Sequence, residues 1–254
     1  MEEKWEKLRE WFAENPKVLI GFSGGVDSAF LLAAAKECGA EALPVFIKTP
    51  FQPDFELRDA EQLAASLGIK PEVLTADPLS DPEIMANGPE RCYYCKRMLF
   101  SMLRRLADER RAALIDGTNA SDPEDDRPGM RALRELEAQS PLRIAGFTKA
   151  DIRAESKKRG LFTWDKPSYA CLATRVPTGT PLDGETLRKV EGAEDALFRM
   201  GYKDFRVRVF HGAARVQLLK EDWPDEGKRG AILAAVRPYF DTVLLDMALR
   251  QVRE

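Results

Sequence analysis

The chain is short of several things, and each shortage removes a class of function. No apolar run in its 254 residues approaches the ~20 needed for a bilayer-spanning helix, so a helical membrane protein is excluded. A single histidine, His211, weakens any zinc site that needs a fourth ligand beyond cysteine. Neither sign of charge dominates: the net charge is −3 and the pI about 5.6. With no global basic field to hold a phosphate backbone, nucleic acid is not the expected partner. Internal repeats, low-complexity tracts and a glutaminase domain are missing, which counts against an amidating synthetase. The N-terminus, Met1-Glu2-Glu3-Lys4-Trp5-Glu6-Lys7-Leu8, is charged and helical in pattern rather than a signal peptide, and a cytoplasmic location is expected. In that compartment four cysteines, at 38, 92, 95 and 171, point to metal ligation or catalysis rather than a disulfide framework.

What is present begins with Val18-Leu19-Ile20, then Gly21-Phe22-Ser23-Gly24-Gly25-Val26-Asp27-Ser28, then the apolar run from Ala29 to Ala35. This is the pattern of a buried strand, a turn with two adjacent glycines, and a helix expected to open at Asp27 or Ser28. Adjacent glycines let backbone N–H groups approach an anion, and the helix N-terminus adds partial positive charge. A phosphate suits such a place. No lysine follows the glycines, so the phosphate loop that ends in GKS or GKT is absent. An ordinary turn is the bland alternative.

Residues 4–14 carry Trp5, Leu8, Trp11 and Phe12 on one helical face. Strands are expected at 18–22, 42–47, 72–75 and 113–116. Helices run from the glycine turn to about Glu37, from the Asp54 cap to Gly68, and from about Tyr94 to Arg110. Four strand–helix alternations imply a parallel sheet covered by helices on both faces, with ligands at the carboxyl ends of its strands. A second polar loop, Asp116-Gly117-Thr118-Asn119-Ala120-Ser121-Asp122, leaves another strand end there, although a solvated acidic loop has the same composition. A Thr148-capped helix closes this α/β domain, placed at 1–164. Residues 165–254 read as a smaller α+β domain: a loop through Cys171, a helix at 184–200, strands at 205–210 and 214–219, a helix at 225–237, and a last strand at 242–245.

Cys92-Tyr93-Tyr94-Cys95 puts two thiols at the start of a helix, where thiol pKa falls and metal ligation is favoured. Cys171 lies in a loop with glycine and proline around it and is the expected third partner. Three thiolates would hold a 4Fe-4S cluster and leave one iron open to a ligand such as sulfide. A structural zinc or independent reduced thiols fit the same residues. Cys38 sits late on an apolar helix face and reads as a packed small hydrophobe. In Arg206-Val207-Arg208-Val209 the alternation sets both guanidiniums on one strand face, and Arg215 on the next strand joins them if the two form a hairpin. Converging arginines suit a phosphate or carboxylate ligand. A solvated polar face is the plain alternative.

Ser23-Gly24-Gly25-Val26-Asp27-Ser28 resembles the PP-loop of the ATP pyrophosphatases. With RCYYCK at 91–96, DGTNASD at 116–122, DRPG at 126–129, KPSYACLATRVPTG at 166–179 and VEGAEDALFRMGYKDFRVRVFHG at 190–212, nearly the whole chain resembles the LarE family of sulfur transferases, which act in nickel-pincer nucleotide biosynthesis for lactate racemase. The resemblance implies an adenine nucleotide α-hydrolase-like fold. It also implies adenylation by ATP of a carboxylate of pyridinium-3,5-biscarboxylic acid mononucleotide, loss of pyrophosphate, and displacement of AMP by sulfur to give a thiocarboxylate. By this resemblance Ser23, Gly24, Gly25, Asp27 and Ser28 form the pyrophosphate and Mg2+ site, with Gly117 and Thr118 also on the nucleotide. Cys171 is the sulfur position, Arg206 and Arg208 match arginines of the substrate region with Glu194 and Arg175 as neighbours, and Arg215 is added to them by the hairpin spacing. Members with one cysteine sacrifice its sulfur, whereas members with three carry a cluster. Cys92, Cys95 and Cys171 place this chain in the cluster type, with a sulfide donor and a homo-oligomeric state expected. A cluster-dependent tRNA thiolase and a nucleotide-binding module with structural zinc are the alternatives.

Overall fold

A computed structural model describes residues 1–123 and 128–251. Contacts between residues divide the chain into two compact units, one of residues 1–49, 54–78 and 90–166, the other of residues 50–53, 79–89 and 167–254.

The first unit contains α1 (Glu2–Glu14), β1 (Lys17–Gly21), α2 (Val26–Glu37), β2 (Glu41–Lys48), α3 (Asp54–Ser66) and β3 (Glu72–Thr75). Its four strands, of which β4 (Ala113–Ile115) is the last in sequence, are all parallel and lie in the order β3-β2-β1-β4. The strands read as near-continuous apolar runs because both faces are covered. Successive residues part to opposite faces. Val18, Ile20, Phe46 and Ile115 join Trp5, Phe12, Phe30, Leu63 and Phe147 in one core. Leu19, Val45 and Leu114 join Leu103 and Ala107 in the other. Those last two lie on the long helix that enters β4; in the second unit a short helix, α4 (Pro82–Met85), precedes it in sequence, so it is α5 (Arg91–Arg110). After β4 come α6 (Pro128–Glu135), α7 (Pro141–Ile144) and α8 (Lys149–Lys158). Thr148 and Asp151 form a reciprocal capping box at the head of α8.

The second unit follows a 3₁₀ turn (Leu172–Arg175) with α9 (Gly184–Arg199), β5 (Arg206–Phe210), β6 (Ala213–Gln217), α10 (Glu226–Val236) and β7 (Val243–Leu245). β5 and β6 pair as an antiparallel hairpin, and β7 adds parallel to β6. The hairpin turns through His211 and Gly212, both at positive φ. A four-stranded parallel sheet covered by helices and a smaller mixed three-stranded sheet together make the expected α/β plus α+β architecture.

No helix among the described residues is long and apolar enough to cross a membrane. The first two residues of the DRPG motif, Asp126 and Arg127, lie outside the described residues.

Candidate functional site

The glycine turn leaves β1 at its carboxyl end and enters α2 earlier than the sequence suggests. Gly25, not Asp27 or Ser28, occupies the cap position, and no side chain caps the helix. An acidic or hydroxyl residue usually takes that place. Here it is a glycine, which leaves the helix-end donors to a ligand anion. Gly24 stands at φ +68°, and a Cβ there would come within 2.9 Å of the Ala60 Cβ. Left-handed backbone and close packing on α3 both demand glycine. Ser23 Oγ and Ser28 Oγ lie 3.2 Å apart, and the Ser28 hydroxyl donates to the Gly25 carbonyl at 3.3 Å. These bonds set the loop's curvature.

β4 lies beside β1, so the loop that follows it meets the same helix end. A Cβ on Gly117 would sit 3.0 Å from the Ser28 backbone nitrogen and 3.2 Å from the Asp27 Cβ. A larger residue there would have to push the two loops apart by a few tenths of an ångström. Thr118 turns its hydroxyl to Asp116 at 2.5 Å, so its side chain shapes the loop from within. Asn119 donates to Asp27 at 3.3 Å. Arg143 ties the loop down by donating to the carbonyls of Asn119 and Asp122, at 3.3 and 2.6 Å.

Asp27 projects from the first turn of α2. Burial pushes its carboxyl above the ordinary aspartate range, opposed by the positive charge of Lys149 and the hydrogen bond it donates. That ammonium lies 2.5 Å from Asp27 Oδ2. Sequence reasoning missed Lys149, yet a signal was there: it is the first residue of α8, where the helix dipole disfavours a cation.

Cys92 and Cys95 both fall in the first five residues of α5, three apart and therefore on one helix face. Cys92 is exposed and Cys95 half-buried. Arg91 donates to the Cys92 sulfur at 3.6 Å. Cys171 belongs to the second unit, immediately before the 3₁₀ turn. Among the described residues no group of three or more His, Cys, Asp or Glu side chains is placed to hold a metal ion.

The arginines of the second unit converge. Arg208 and Arg215 are direct partners across the β5–β6 hairpin, and Arg206 is two residues along the same face. Arg206 and Arg208 also brace the loop that carries Cys171. Arg206 Nη2 donates to the Ser168 carbonyl at 2.5 Å, and Arg208 Nη1 donates to the Thr174 carbonyl at 2.6 Å. Burial and the nearby charges of Arg175 and Arg250 bring the Arg206 pKa down to about 10. Burial and the charges of Arg175 and Arg215 lower that of Arg208. Both remain cations at neutral pH in an environment that favours an added anion.

Arg175 and Glu194 lie deeper, each about 1% exposed. Arg175 donates from Nε and Nη2 to the two Glu194 oxygens at 2.7 and 3.3 Å. Glu194 also accepts from the Val207 N–H at 2.8 Å and from the Tyr169 hydroxyl. Tyr169 in turn presents its ring to both Arg175 and Arg206. Arg215 pairs with Asp246 at 3.4 Å, and Arg250 with Asp204 at 2.8 Å. Five guanidiniums thus share the region with three carboxylates, Glu194, Asp204 and Asp246, an arrangement suited to a small ligand bearing phosphate or carboxylate groups.

No family model matches the chain. It is 35% identical over 205 residues to the pyridinium-3,5-bisthiocarboxylic acid mononucleotide synthase of Lactiplantibacillus plantarum, covering 80% of this chain and 74% of that protein. An uncharacterized Synechocystis protein is 37% identical over 227 residues, covering 87% of this chain and 83% of its own. A tRNA-specific 2-thiouridylase MnmA of Bacteroides fragilis is 30% identical over 178 residues, covering 58% of this chain and 48% of the relative. With a glycine turn open to an anion at the head of α2 and a parallel sheet behind it, the chain belongs to the LarE-like family of the PP-loop superfamily, ATP-dependent enzymes of sulfur transfer.

Proposed function

We propose that the protein adenylates a carboxylate of pyridinium-3,5-biscarboxylic acid mononucleotide with ATP and then replaces AMP with sulfur. The observation that carries this reading is the double use of Arg206 and Arg208. The two guanidiniums that would meet the anionic substrate also fix the carbonyls of Ser168 and Thr174, on either side of Cys171. An anion on that sheet face is thereby held against the loop that bears the sulfur position. Arg215 adds charge on the same face, while Arg175 and Glu194 serve by setting Tyr169, Arg206 and the start of β5.

The pyrophosphate end of ATP would lie on Ser23, Gly24, Gly25 and Ser28, with Gly117 and Thr118 closing the loop beside it. Asp27 and the two serine hydroxyls are hard oxygen donors of the kind Mg2+ takes, and the ion would neutralise phosphate charge there. Cys92 and Cys95, three apart on one helix face, and Cys171 are the thiols that would hold a 4Fe-4S cluster. When bound, it would supply a sulfide from an iron without a protein ligand. The protein's own tasks are to hold the carboxylate against the α-phosphorus, keep water from the acyl-adenylate, and present sulfur to the activated carbon.

The test uses protein prepared without oxygen. Iron and acid-labile sulfide are measured, then the protein is mixed with ATP, Mg2+, sulfide and the dicarboxylate nucleotide. Release of AMP and pyrophosphate with repeated formation of thiocarboxylate is expected from the wild type, and a collapse to one turnover or less from Cys92→Ser. Iron-free protein that converts Cys171 to dehydroalanine in one turnover would overturn the cluster part. The similarity to MnmA favours a second reading, a tRNA thiolase; ATP-dependent labelling of tRNA would establish it.

A further inference from the structure

We propose that Gln217 and Asp246 are positioning residues for the substrate anion, with Asp246 acting through Gln217 to set Arg208 while leaving its charge uncancelled. The assignment rests on the function proposed above. Arg206 and Gln217 are direct partners across the β5–β6 hairpin, as are Arg208 and Arg215, so all four side chains leave one face of the sheet. Asp246 follows β7 and continues its pairing beside β6, its N–H donating to the Val216 carbonyl at 2.9 Å.

Arg208 is a half-buried cation among cations. Burial and the charges of Arg175, Arg215 and Arg250 act against it, and a long cationic side chain in that setting gains by turning its head to water. Two acceptors hold it in place. The Thr174 carbonyl accepts from Nη1 at 2.6 Å, and Gln217 Oε1 accepts from Nε at 2.7 Å. Both acceptors are neutral, and among the described residues no carboxylate pairs with Arg208 directly.

The carboxylate stands one side chain further on. Gln217 Nε2 donates to Asp246 Oδ2 at 2.7 Å, and the same oxygen lies 3.4 Å from Arg215 Nε. The direction of the amide follows from its two neighbours. A guanidinium only donates, so it takes the amide oxygen; an ionised carboxylate only accepts, so it takes the amide NH2. Burial alone would raise the Asp246 pKa, but the bonds from Gln217 and the Ala248 N–H and the charges of Arg215 and Arg208 prevail and lower it. Asp246 thus fixes which way Gln217 points, and Gln217 fixes Arg208. With Nε and Nη1 committed, Nη2 and the undiminished charge are left for an anionic group of the substrate. A carboxylate placed directly on Nε would hold the guanidinium equally well, but it would compete with that anion.

Two comparisons, each at constant charge, test this. Asp246→Asn keeps an oxygen that can accept from Gln217, and Asp246→Ala does not. Inorganic phosphate is titrated by calorimetry with the glycine turn already filled by Mg2+ and pyrophosphate. D246A should bind it about tenfold or more weaker than D246N, the loss expected for one hydrogen bond to a charged group. The second comparison sets the wild type against the double variant Gln217→Glu with Asp246→Asn, in which acid and amide exchange places. Net charge and the possible hydrogen bonds stay the same, but the carboxylate now sits directly on Arg208. Phosphate affinity should again fall about tenfold or more. In pyrophosphate-release assays the KM for the dicarboxylate nucleotide should rise with kcat unchanged, the mark of lost binding rather than of a lost transition-state contact. Equal affinities within either pair would overturn the proposal, as would a fall in kcat at unchanged KM. If the wild type makes no thiocarboxylate but both contrasts in phosphate affinity hold, the substrate reading fails and the positioning role stands.

Discussion

Glu194 directs its whole carboxylate into the protein. It faces Arg175 with both oxygens, the Val207 N–H with one and the Tyr169 hydroxyl with the other. Removing one member of a buried ion pair strands the other charge, which destabilises by about 3–5 kcal/mol. Glu194→Ala should therefore lower the urea midpoint of unfolding by an amount corresponding to a few kcal/mol, even without substrate. The sequence named Glu194 and Arg175 through the family resemblance, but nothing in their spacing announces a buried pair 19 positions apart. Lys149 shows the converse. Its position against the dipole of α8 is visible in the sequence once the Thr148 cap is placed, whereas its partner Asp27, 122 residues away, is not.

Individual elements were far more legible. Strand and helix positions follow from apolar period and from caps, and these act locally. The Thr148 capping box is one such signal, and Asp151 is its pivot. Burial alone would raise the Asp151 carboxyl, but hydrogen bonds from Lys4 and Thr148 prevail and hold it at about 2. A carboxylate whose pKa is depressed on folding stabilises the fold above its unfolded value, near 3.9, and that contribution is lost as pH falls toward 2. Asp151→Ala should accordingly destabilise the protein by about 1 kcal/mol at neutral pH, a typical cap value, with the difference from wild type shrinking below about pH 4. Thermal melts at a series of pH values measure this. The helix boundary that moved, from Asp27 or Ser28 to Gly25 at α2, did so because a glycine caps without a side chain and so leaves a weaker signal in the sequence than an acid or hydroxyl does.

At the scale of the molecule, charge separates the two sulfur-transfer readings. A net charge of −3 gives no global basic field, and Arg206, Arg208 and Arg215 are already partnered by carboxylates and a carbonyl. Bulk tRNA should show no saturable binding in 0.1–0.2 M salt. Electrophoretic mobility shift over a salt series would measure it, and affinity falling steeply with salt would favour the thiolase reading.

The division into units draws on more than the pattern along the chain. The change in pattern near residue 165 is clear, but residues 50–53 and 79–89 also belong to the second unit. They have no strand or helix periodicity of their own. Long-range bonds recruit them: Leu172 N–H to the Phe51 carbonyl, Leu182 N–H to the Met85 carbonyl, and the Asn87 amide to the carbonyls of Pro177 and Thr180.

These two short segments also bear on the protein's engineering. The chain passes from one unit to the other at five junctions. The second unit is therefore no cassette. A graft taken at residue 167 would leave behind the pieces that anchor its Cys171 turn and the segment before α9. Redesign of this unit must then proceed by substitution on a fixed frame, residue by residue, rather than by exchange of the whole part.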